Sequence, residues 1–251
     1  MDQKIWDNLA VDYDKSVEDN ENQLIVNYIK KEIDILATLC KQICKLNNNC
    51  SIIDMGAGTG RVVFALDKKL HNSNVQFYGV EISESMLNYA NKKKYNHERS
   101  SKVEFLKYDL TNSNLSKYFN LNETNIVMCS YNTLGVIPFD KRQKFIDNMK
   151  TIAGEKGLTI LTAFNGDNFT FVAPKLYNSM IPMIRQIEND SFDEKNRIFQ
   201  NSLGFHSQWF TKNELKRMLD SDVEPIPIDV SINEVSYTFG NVFLDRNISE
   251  F

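Results

Sequence analysis

The sequence contains no apolar run close to the roughly 18 residues that a membrane-spanning helix needs. Its first residues, MDQK, are polar and lack the pattern of a secretory signal peptide. These two absences predict a cytoplasmic protein that neither crosses a membrane nor anchors in one.

Patterns for metal binding and redox chemistry are also missing. The chain has three histidines, which do not cluster, and four cysteines, none of which forms a Cys-x-x-Cys pair. Zinc sites need such clusters of ligands. We therefore predict no metal site, and we expect Cys40, Cys44, Cys50 and Cys129 to be buried, reduced thiols.

No large excess of charge of one sign is present. The chain has 29 Lys and Arg against 33 Asp and Glu, a net charge of −4. This balance argues against broad binding to nucleic acids or anionic membranes. With 251 residues, 42% of them hydrophobic, the chain can bury one large core. We predict a single domain over residues 1–251, with an N-terminal helical cap at residues 1–50.

The most informative stretch present is SIIDMGAGTG, residues 51–60. Ser51–Met55 has the β-branched and apolar composition of a short buried strand, and Arg61–Leu70 has the apolar stripe of a helix. Between them, Gly56, Gly58 and Gly60 allow a sharp turn and leave no Cβ in the way of a ligand. The helix presents unpaired N–H groups at the same point. The pattern predicts a turn that binds a nucleotide-like ligand.

A dinucleotide is one possible ligand of this turn, but its fingerprint, Gly-x-Gly-x-x-Gly, does not fit well. The third glycine, Gly60, comes one residue early, and Arg61 occupies the expected position. Asp54 precedes the glycines by two residues, where a carboxylate would repel a pyrophosphate but accept hydrogen bonds from an ammonium group. The acid favours a ligand with a positive charge.

Strand and helix patterns alternate along the chain, which predicts a parallel α/β sheet with helices on both faces. Ligands of such sheets bind at the carboxyl ends of the strands. Polar residues follow four predicted strands there: Asp54, Glu81, Asp109 and Ser130. The predicted strands are Ser51–Met55, Val75–Glu81, Val103–Lys107, Asn125–Cys129 and Gly157–Ala163, and the predicted helices are Gln23–Lys45, Arg61–Leu70, Glu84–Lys94 and Asp140–Ile152.

The last third of the chain contains an insertion and a closing hairpin. Residues 165–210 form a long insertion, rich in aromatic residues and methionine, that would cover an acceptor pocket or form a satellite core. Thr211 is expected to cap a helix at Lys212–Leu219. Two strands, near Val223–Val230 and Val235–Phe243, then follow.

Three motifs occur in order at the ends of the first three predicted strands: Asp54-x-Gly56-x-Gly58-x-Gly60, Gly79-Val80-Glu81-Ile82-Ser83-x-x-Met86 and Tyr108-Asp109-Leu110. Together they resemble those of the class I S-adenosylmethionine-dependent methyltransferases, from about Trp6 to Ala163. The resemblance implies a Rossmann-like fold: a seven-stranded, mostly parallel sheet, helices on both faces, an antiparallel last strand pair and an inserted lid after strand 5. It also implies S-adenosylmethionine as the cofactor.

The resemblance assigns roles at the adenosine end of the cofactor. Glu81 would accept hydrogen bonds from both ribose hydroxyls. Asp109 would accept a hydrogen bond from the adenine amino group, and the N–H of Leu110 would donate one to a ring nitrogen of the adenine. Ile82 and Met86 would hold the two faces of the adenine.

At the methionine end, a carboxylate, the glycine backbone and a residue after the fourth strand would hold the cofactor, and an N-terminal tyrosine would close over it. An ordinary aromatic side chain that packs in the core is an equally good interpretation of that tyrosine. These residues are Asp54, Gly56, Ala57, Gly58, Ser130 and Tyr13.

On the acceptor side, Tyr131 and Asn132 follow the fourth strand beside the expected methyl group. His206 is the candidate base by residue type, since its ordinary pKa lies near neutrality. Residues 131–135, YNTLG, do not match the Asn/Asp-Pro-Pro-Tyr/Phe motif of methyltransferases that act on bases or glutamine. The overall plan instead resembles that of the small-molecule N- and O-methyltransferases, and this resemblance implies methylation of an N or O atom of a small molecule.

Two other functions stay open. A methyltransferase acting on tRNA or protein is one, with Lys92–Lys94 as a local contact, although a solvated helix end explains these lysines too. A cofactor-binding protein without catalysis, or a nicotinamide oxidoreductase, is the other.

Overall fold

A seven-stranded sheet forms the centre of the computed structural model, which describes residues 3–47, 49–70, 75–98, 102–232 and 234–250. The strand order is β3-β2-β1-β4-β5-β10-β9, and β10 runs antiparallel to both of its neighbours. The predicted fold class and antiparallel last pair are confirmed. The strands are β1 (Cys50–Met55), β2 (Val75–Glu81), β3 (Val103–Lys107), β4 (Thr124–Cys129), β5 (Leu158–Phe164), β9 (Ile226–Ile232) and β10 (Val235–Leu244).

Helices connect these strands, and three of them begin at side-chain caps. Ser83 accepts a hydrogen bond from the N–H of Met86, as predicted, and Thr211 forms a capping box with Glu214. None of the described helices is long and apolar enough to cross a membrane. The helices are α1 (Gln3–Ser16), α2 (Gln23–Leu46), α3 (Arg61–Lys69), α4 (Glu84–Tyr95), α5 (Thr133–Val136), α6 (Arg142–Ala153), α7 (Phe169–Ser179), α8 (Ile181–Ile184) and α9 (Lys212–Leu219).

Each face of the sheet is covered by its own apolar core. Neighbouring residues of a strand point to opposite faces, so Ile52 of β1 belongs to one core and Ile53 to the other. The first core includes the apolar faces of α2, α3 and α7, and the second includes those of α6 and α9. Helices on both faces are thus confirmed.

The insertion at residues 165–210 has a structure of its own. After α7 and α8, three short strands form an antiparallel sheet, and Tyr177 stacks on Phe199 with ring centroids 3.9 Å apart. Aromatic side chains of the insertion, including Trp209, are buried in the first core. The short strands are β6 (Phe192–Asp193), β7 (Ile198–Gln200) and β8 (His206–Gln208).

The expectation of four reduced thiols is wrong for one pair. Cys44 in the last turns of α2 and Cys50 at the start of β1 form a disulfide, with Cα atoms 5.5 Å apart. The short connector between helix and strand brings the two Cα atoms within the range that a disulfide spans. Cys40 and Cys129 are free and buried, as expected.

A buried ion pair ties the sheet to α2. Glu32 is fully buried, and its carboxylate lies 3.2 Å from Nη2 of Arg61 at the start of α3. The same carboxylate accepts hydrogen bonds from the backbone N–H of Tyr131 at 2.8 Å, from the hydroxyl of Thr162, and from the hydroxyl of Tyr28 at 3.4 Å. One side chain thus connects α2 and α3 to the ends of β4 and β5.

Replacing Arg61 should destabilise the fold strongly. Arg61→Met leaves the Glu32 carboxylate buried without its cation, and we expect the free energy of unfolding in urea to fall by about 3–5 kcal/mol. Adding Glu32→Gln to that variant removes the buried charge and should restore part of the loss.

The exposed ion pair of Lys69 with Asp34, at 2.7 Å, provides the matched control. Lys69→Met should change the unfolding free energy by less than about 1 kcal/mol. Equal effects of Lys69→Met and Arg61→Met would contradict the account of the buried pair.

Candidate active site

A cavity opens at the carboxyl ends of β1, β2 and β4. It is lined by the glycine turn, by α1 above it, and by the inserted segment opposite. Seven of the residues predicted for the site line this one cavity: Tyr13, Gly56, Gly58, Glu81, Met86, Tyr131 and Asn132.

The glycine turn has the sharp geometry that the sequence predicts. Gly56 has a φ of +93°, and a Cβ built there would lie 2.4 Å from Cγ2 of Thr133. Gly58 has a φ of +54°, and the ring of Tyr13 lies only 3.6 Å from the point that its Cβ would occupy. The positive φ therefore favours glycine at both positions, Thr133 leaves no room for a Cβ at Gly56, and Tyr13 covers the turn from above.

Glu81, at the end of β2, faces the turn with a buried carboxylate. It accepts hydrogen bonds from the N–H groups of Gly58 at 3.0 Å, Ile82 at 2.8 Å and Ser83 at 2.9 Å. Burial raises the pKa of Glu81, and the three N–H donors oppose that rise. The carboxylate joins the glycine turn to the start of α4.

Asp54, at the end of β1, is 1% exposed. The hydroxyl of Ser130 donates to it at a distance of 3.5 Å. Burial raises the pKa of Asp54 to about 7; Glu32 and Glu81 add to the rise, whereas Arg61 opposes it. A cationic ligand beside Asp54 would restore the charged form.

Three residues predicted to hold an adenine do not line the cavity; Ile82 follows β2, and Asp109 and Leu110 follow β3. Ile82 is half-buried and Leu110 is buried. Asp109 accepts hydrogen bonds from the N–H and hydroxyl of Thr111, at 2.9 and 2.8 Å. Burial would raise the pKa of Asp109, but these bonds hold it below its usual value.

Helix α1 is fastened over the cavity by polar contacts that the sequence analysis missed. Asp7 accepts hydrogen bonds from the hydroxyl of Ser83 at 2.6 Å and the N–H of Ser85 at 3.0 Å. Asp14 accepts one from the hydroxyl of Thr59 at 2.5 Å. A signal was available, because Asp7 and Asp14 are two helical turns apart and so share one face of α1.

Asn132 holds the insertion against the sheet. Its amide nitrogen donates to the hydroxyl of Ser207 at 3.0 Å and to the carbonyl of Gln208 at 2.9 Å, while its amide oxygen accepts from the N–H of Phe164 at 3.1 Å. Both amide hydrogens are therefore used within the protein.

Tyr131 lines the cavity, and its backbone conformation is unusual. Tyr131 and Asn132 both have a positive φ, 50° and 60° respectively. Residues other than glycine rarely adopt this backbone conformation, and those that do cluster at functional sites. The Tyr131 hydroxyl is buried and has no partner among the described residues. Burial raises the pKa of this phenol far above its usual value, so that it stays protonated.

His206 lies in a neighbouring depression rather than in the main cavity. That depression shares Trp6, Val136 and Phe205 with the cavity. Burial, with repulsion from Arg142, lowers the pKa of His206 below its ordinary value. The imidazole is consequently neutral at neutral pH.

The buried ion pair of Glu32 and Arg61 was not predicted from the sequence. Glu32 lies four residues after Tyr28 and seven after Ile25, on the buried face of α2. A charged residue in an apolar stripe was the signal that could have identified it.

Comparison with family models decides the identity of the chain. A model described as a methyltransferase domain matches residues 46–222. The chain belongs to this family. The predicted resemblance to class I methyltransferases is thereby confirmed, and no curated protein matches the sequence of this methyltransferase.

Solved structures share the fold of this methyltransferase at low sequence identity. A Pyrococcus horikoshii OT3 protein is 14% identical with a TM-score of 0.62, over 92% of this chain and 97% of that one. An S-adenosylmethionine-dependent methyltransferase from Clostridium acetobutylicum ATCC 824 is 14% identical with a TM-score of 0.56, over 86% and 90%. An O-methyltransferase family protein from Burkholderia thailandensis is 12% identical with a TM-score of 0.56; 84% of this chain spans 54% of that protein.

The buried carboxyl of Asp54 should make the methyltransferase less stable as the pH rises. Its pKa in the folded protein, about 7, lies above the ordinary carboxyl value of 3.8. The folded state therefore holds the proton more tightly, and stability is lost between about pH 4 and 7, at about 1.4 kcal/mol per pKa unit. Asp54→Asn should stabilise the protein without ligand at pH 8, and less at pH 5.

Urea denaturation of both proteins at the two pH values measures this difference. The exposed Asp190, changed to Asn, serves as the control and should show the same small effect at each pH. An Asp54→Asn effect that does not change with pH would contradict the raised pKa.

Proposed function

We propose that this methyltransferase transfers the methyl group of S-adenosylmethionine to a nitrogen or oxygen atom of a small-molecule acceptor. The observation that carries the proposal is one cavity with two unlike ends. The buried carboxylate of Glu81 lines the end formed by the glycine turn, and the buried carboxyl of Asp54 lies at the end of β1, just before that turn. Aromatic and methionine side chains line the opposite end.

The residues at the first end fit the cofactor. S-Adenosylmethionine carries two positive charges, a sulfonium and an ammonium, beside one carboxylate, and buried acids suit such a ligand. Asp54 would hold the ammonium group, next to Ser130 and the backbone of Gly56, Ala57 and Gly58. Tyr13, already packed over the turn, would exclude water from it.

The adenosine half would extend along the strand ends. Glu81 would accept the ribose hydroxyls and Met86 would pack on the adenine, with Ile82, Asp109 and Leu110 beside it. When bound, the cofactor would supply an electrophilic methyl group for a lone pair of the acceptor, and S-adenosylhomocysteine would be the leaving group. The protein would contribute alignment and a dry site.

The acceptor side is assigned mainly to Tyr131. Tyr131 lines the cavity, and its buried hydroxyl has no partner among the described residues. Asn132 would position the wall, because its amide is already bonded to three other groups. His206 is neutral and can accept a proton, but the depression that contains it adjoins the cavity, so it would act from that side.

A small acceptor is favoured over a macromolecule by the way the cavity is covered. Residues 1–50 supply the covering helix α1, and residues 165–210 supply the opposite wall, so we propose that both segments belong to one catalytic domain. Of the lysines at the end of α4, Lys93 pairs with Asp14 and Glu18. This pairing leaves it less available for nucleic acid.

Isothermal titration with S-adenosylmethionine and S-adenosylhomocysteine tests the proposal. We expect both to bind, and Glu81→Gln to weaken binding by about 1.5–3 kcal/mol because it removes a charge-assisted acceptor. Glu104→Gln, at an exposed position of β3, is the matched control and should bind as the unmodified protein does.

If neither compound binds, the proposed function is refuted. Binding that Glu81→Gln leaves unchanged would refute the ribose assignment alone. Binding without formation of S-adenosylhomocysteine from any amine, phenol or alcohol would favour a protein that binds the cofactor without catalysis.

A further inference from the structure

We infer that the acceptor is an uncharged, mainly apolar aromatic molecule with a hydroxyl group, and that Tyr131 is the hydrogen-bond partner of that hydroxyl. The inference rests on the proposed function and specifies its acceptor. It depends on three features: the residues that line the cavity, the charges among them, and the buried hydroxyl of Tyr131, which has no partner among the described residues.

The acceptor end of the cavity is lined by rings and thioethers from several separate elements, among them α1, β5, α7 and α8. Ring contacts connect several of them: Trp6 of α1 lies edge-on to Phe205 at 6.0 Å, and Tyr131 lies edge-on to Phe164 at 5.3 Å. Such a surface favours flat aromatic ligands. The lining residues that the inference uses are Trp6, Phe164, Tyr177, Met180, Met183 and Phe205.

Charged groups are nearly absent from this lining. Among the described residues that line the cavity, Glu81 alone is charged, and it already accepts three backbone hydrogen bonds at the cofactor end. Arg61 lies over the ring of Tyr131, 5.0 Å from its centroid, but Glu32 pairs with it at 3.2 Å. A charged acceptor would lose its hydration without gaining a counterion.

Three polar side chains of the acceptor end are hydrogen-bonded within the protein. Asn132 uses both amide hydrogens, the Ser207 hydroxyl accepts one of them, and the Tyr177 hydroxyl accepts from Nε1 of Trp209 at 3.0 Å. Of the buried side-chain polar atoms that have no partner among the described residues, the Tyr131 hydroxyl is the one that belongs to a residue lining the cavity. A buried polar group normally has a partner, and a ligand hydroxyl would fill that role.

The position of this hydroxyl is fixed from behind. The N–H of Tyr131 donates to Glu32 at 2.8 Å and to the hydroxyl of Thr162 at 2.9 Å. These bonds hold the residue in its left-handed conformation. The phenol is therefore positioned before the acceptor arrives, which favours a hydroxyl at one place on the ligand ring.

Four binding constants test the hydrogen bond. The unmodified protein and Tyr131→Phe, each saturated with S-adenosylhomocysteine, are titrated with naphthalene and with 2-naphthol, and binding is followed by calorimetry. We expect the unmodified protein to bind 2-naphthol about fivefold more tightly than naphthalene, the effect of one hydrogen bond. In Tyr131→Phe that ratio should fall to about one, with naphthalene affinity unchanged.

The charge requirement is tested with a matched third probe, 6-hydroxy-2-naphthoate, which adds a carboxylate to the same ring system. We expect it to bind at least about tenfold more weakly than 2-naphthol, because its charge must be buried unpaired. Tyr95→Phe, which changes a tyrosine that is 89% exposed, is the control and should leave all three affinities unchanged.

Equal or tighter binding of the carboxylate would overturn the inference, as would failure of 2-naphthol to bind. A ratio that persists in Tyr131→Phe would overturn the role of Tyr131. These results differ from failure of the proposed function, in which S-adenosylhomocysteine itself would not bind.

Discussion

The carboxylate of Glu32 is the contact on which the site depends most. It is fully buried, pairs with Arg61, and accepts hydrogen bonds from Tyr131 and Thr162. A positive φ is an unfavourable backbone conformation for Tyr131, and the hydrogen bonds accepted from its N–H stabilise it. The ion pair therefore does more than join helices, because it determines where the cavity presents its hydroxyl.

The same region is electrostatically unbalanced in the absence of a ligand. Three buried acids, Glu32, Asp54 and Glu81, surround one buried cation, Arg61. The raised pKa of Asp54 is the direct result, since protonation relieves part of the imbalance. A ligand with positive charge would relieve this imbalance instead. The loss of stability and the selectivity for a cation therefore have the same cause, the excess of buried acids.

Local patterns were sufficient to predict most of the fold and the glycine turn. Strand composition, the cap at Ser83, the capping residue Thr211 and the glycine turn are each contained within about ten residues, and the structure has all of them. The disulfide and the three-stranded sheet of the insertion were not predicted. Each depends on how separate elements meet, which composition and periodicity do not encode.

The acceptor end could not be predicted in the same way, because its decisive contacts join distant parts of the chain. Glu32 and Tyr131 are 99 residues apart, and Asn132 and Gln208 are 76 apart. From the sequence, Asn132 and Tyr131 were equivalent candidates beside the fourth strand. Their hydrogen bonds separate them: both amide hydrogens of Asn132 have partners, whereas the buried hydroxyl of Tyr131 has none among the described residues. Since buried polar groups normally have partners, this hydroxyl is the one that indicates the ligand.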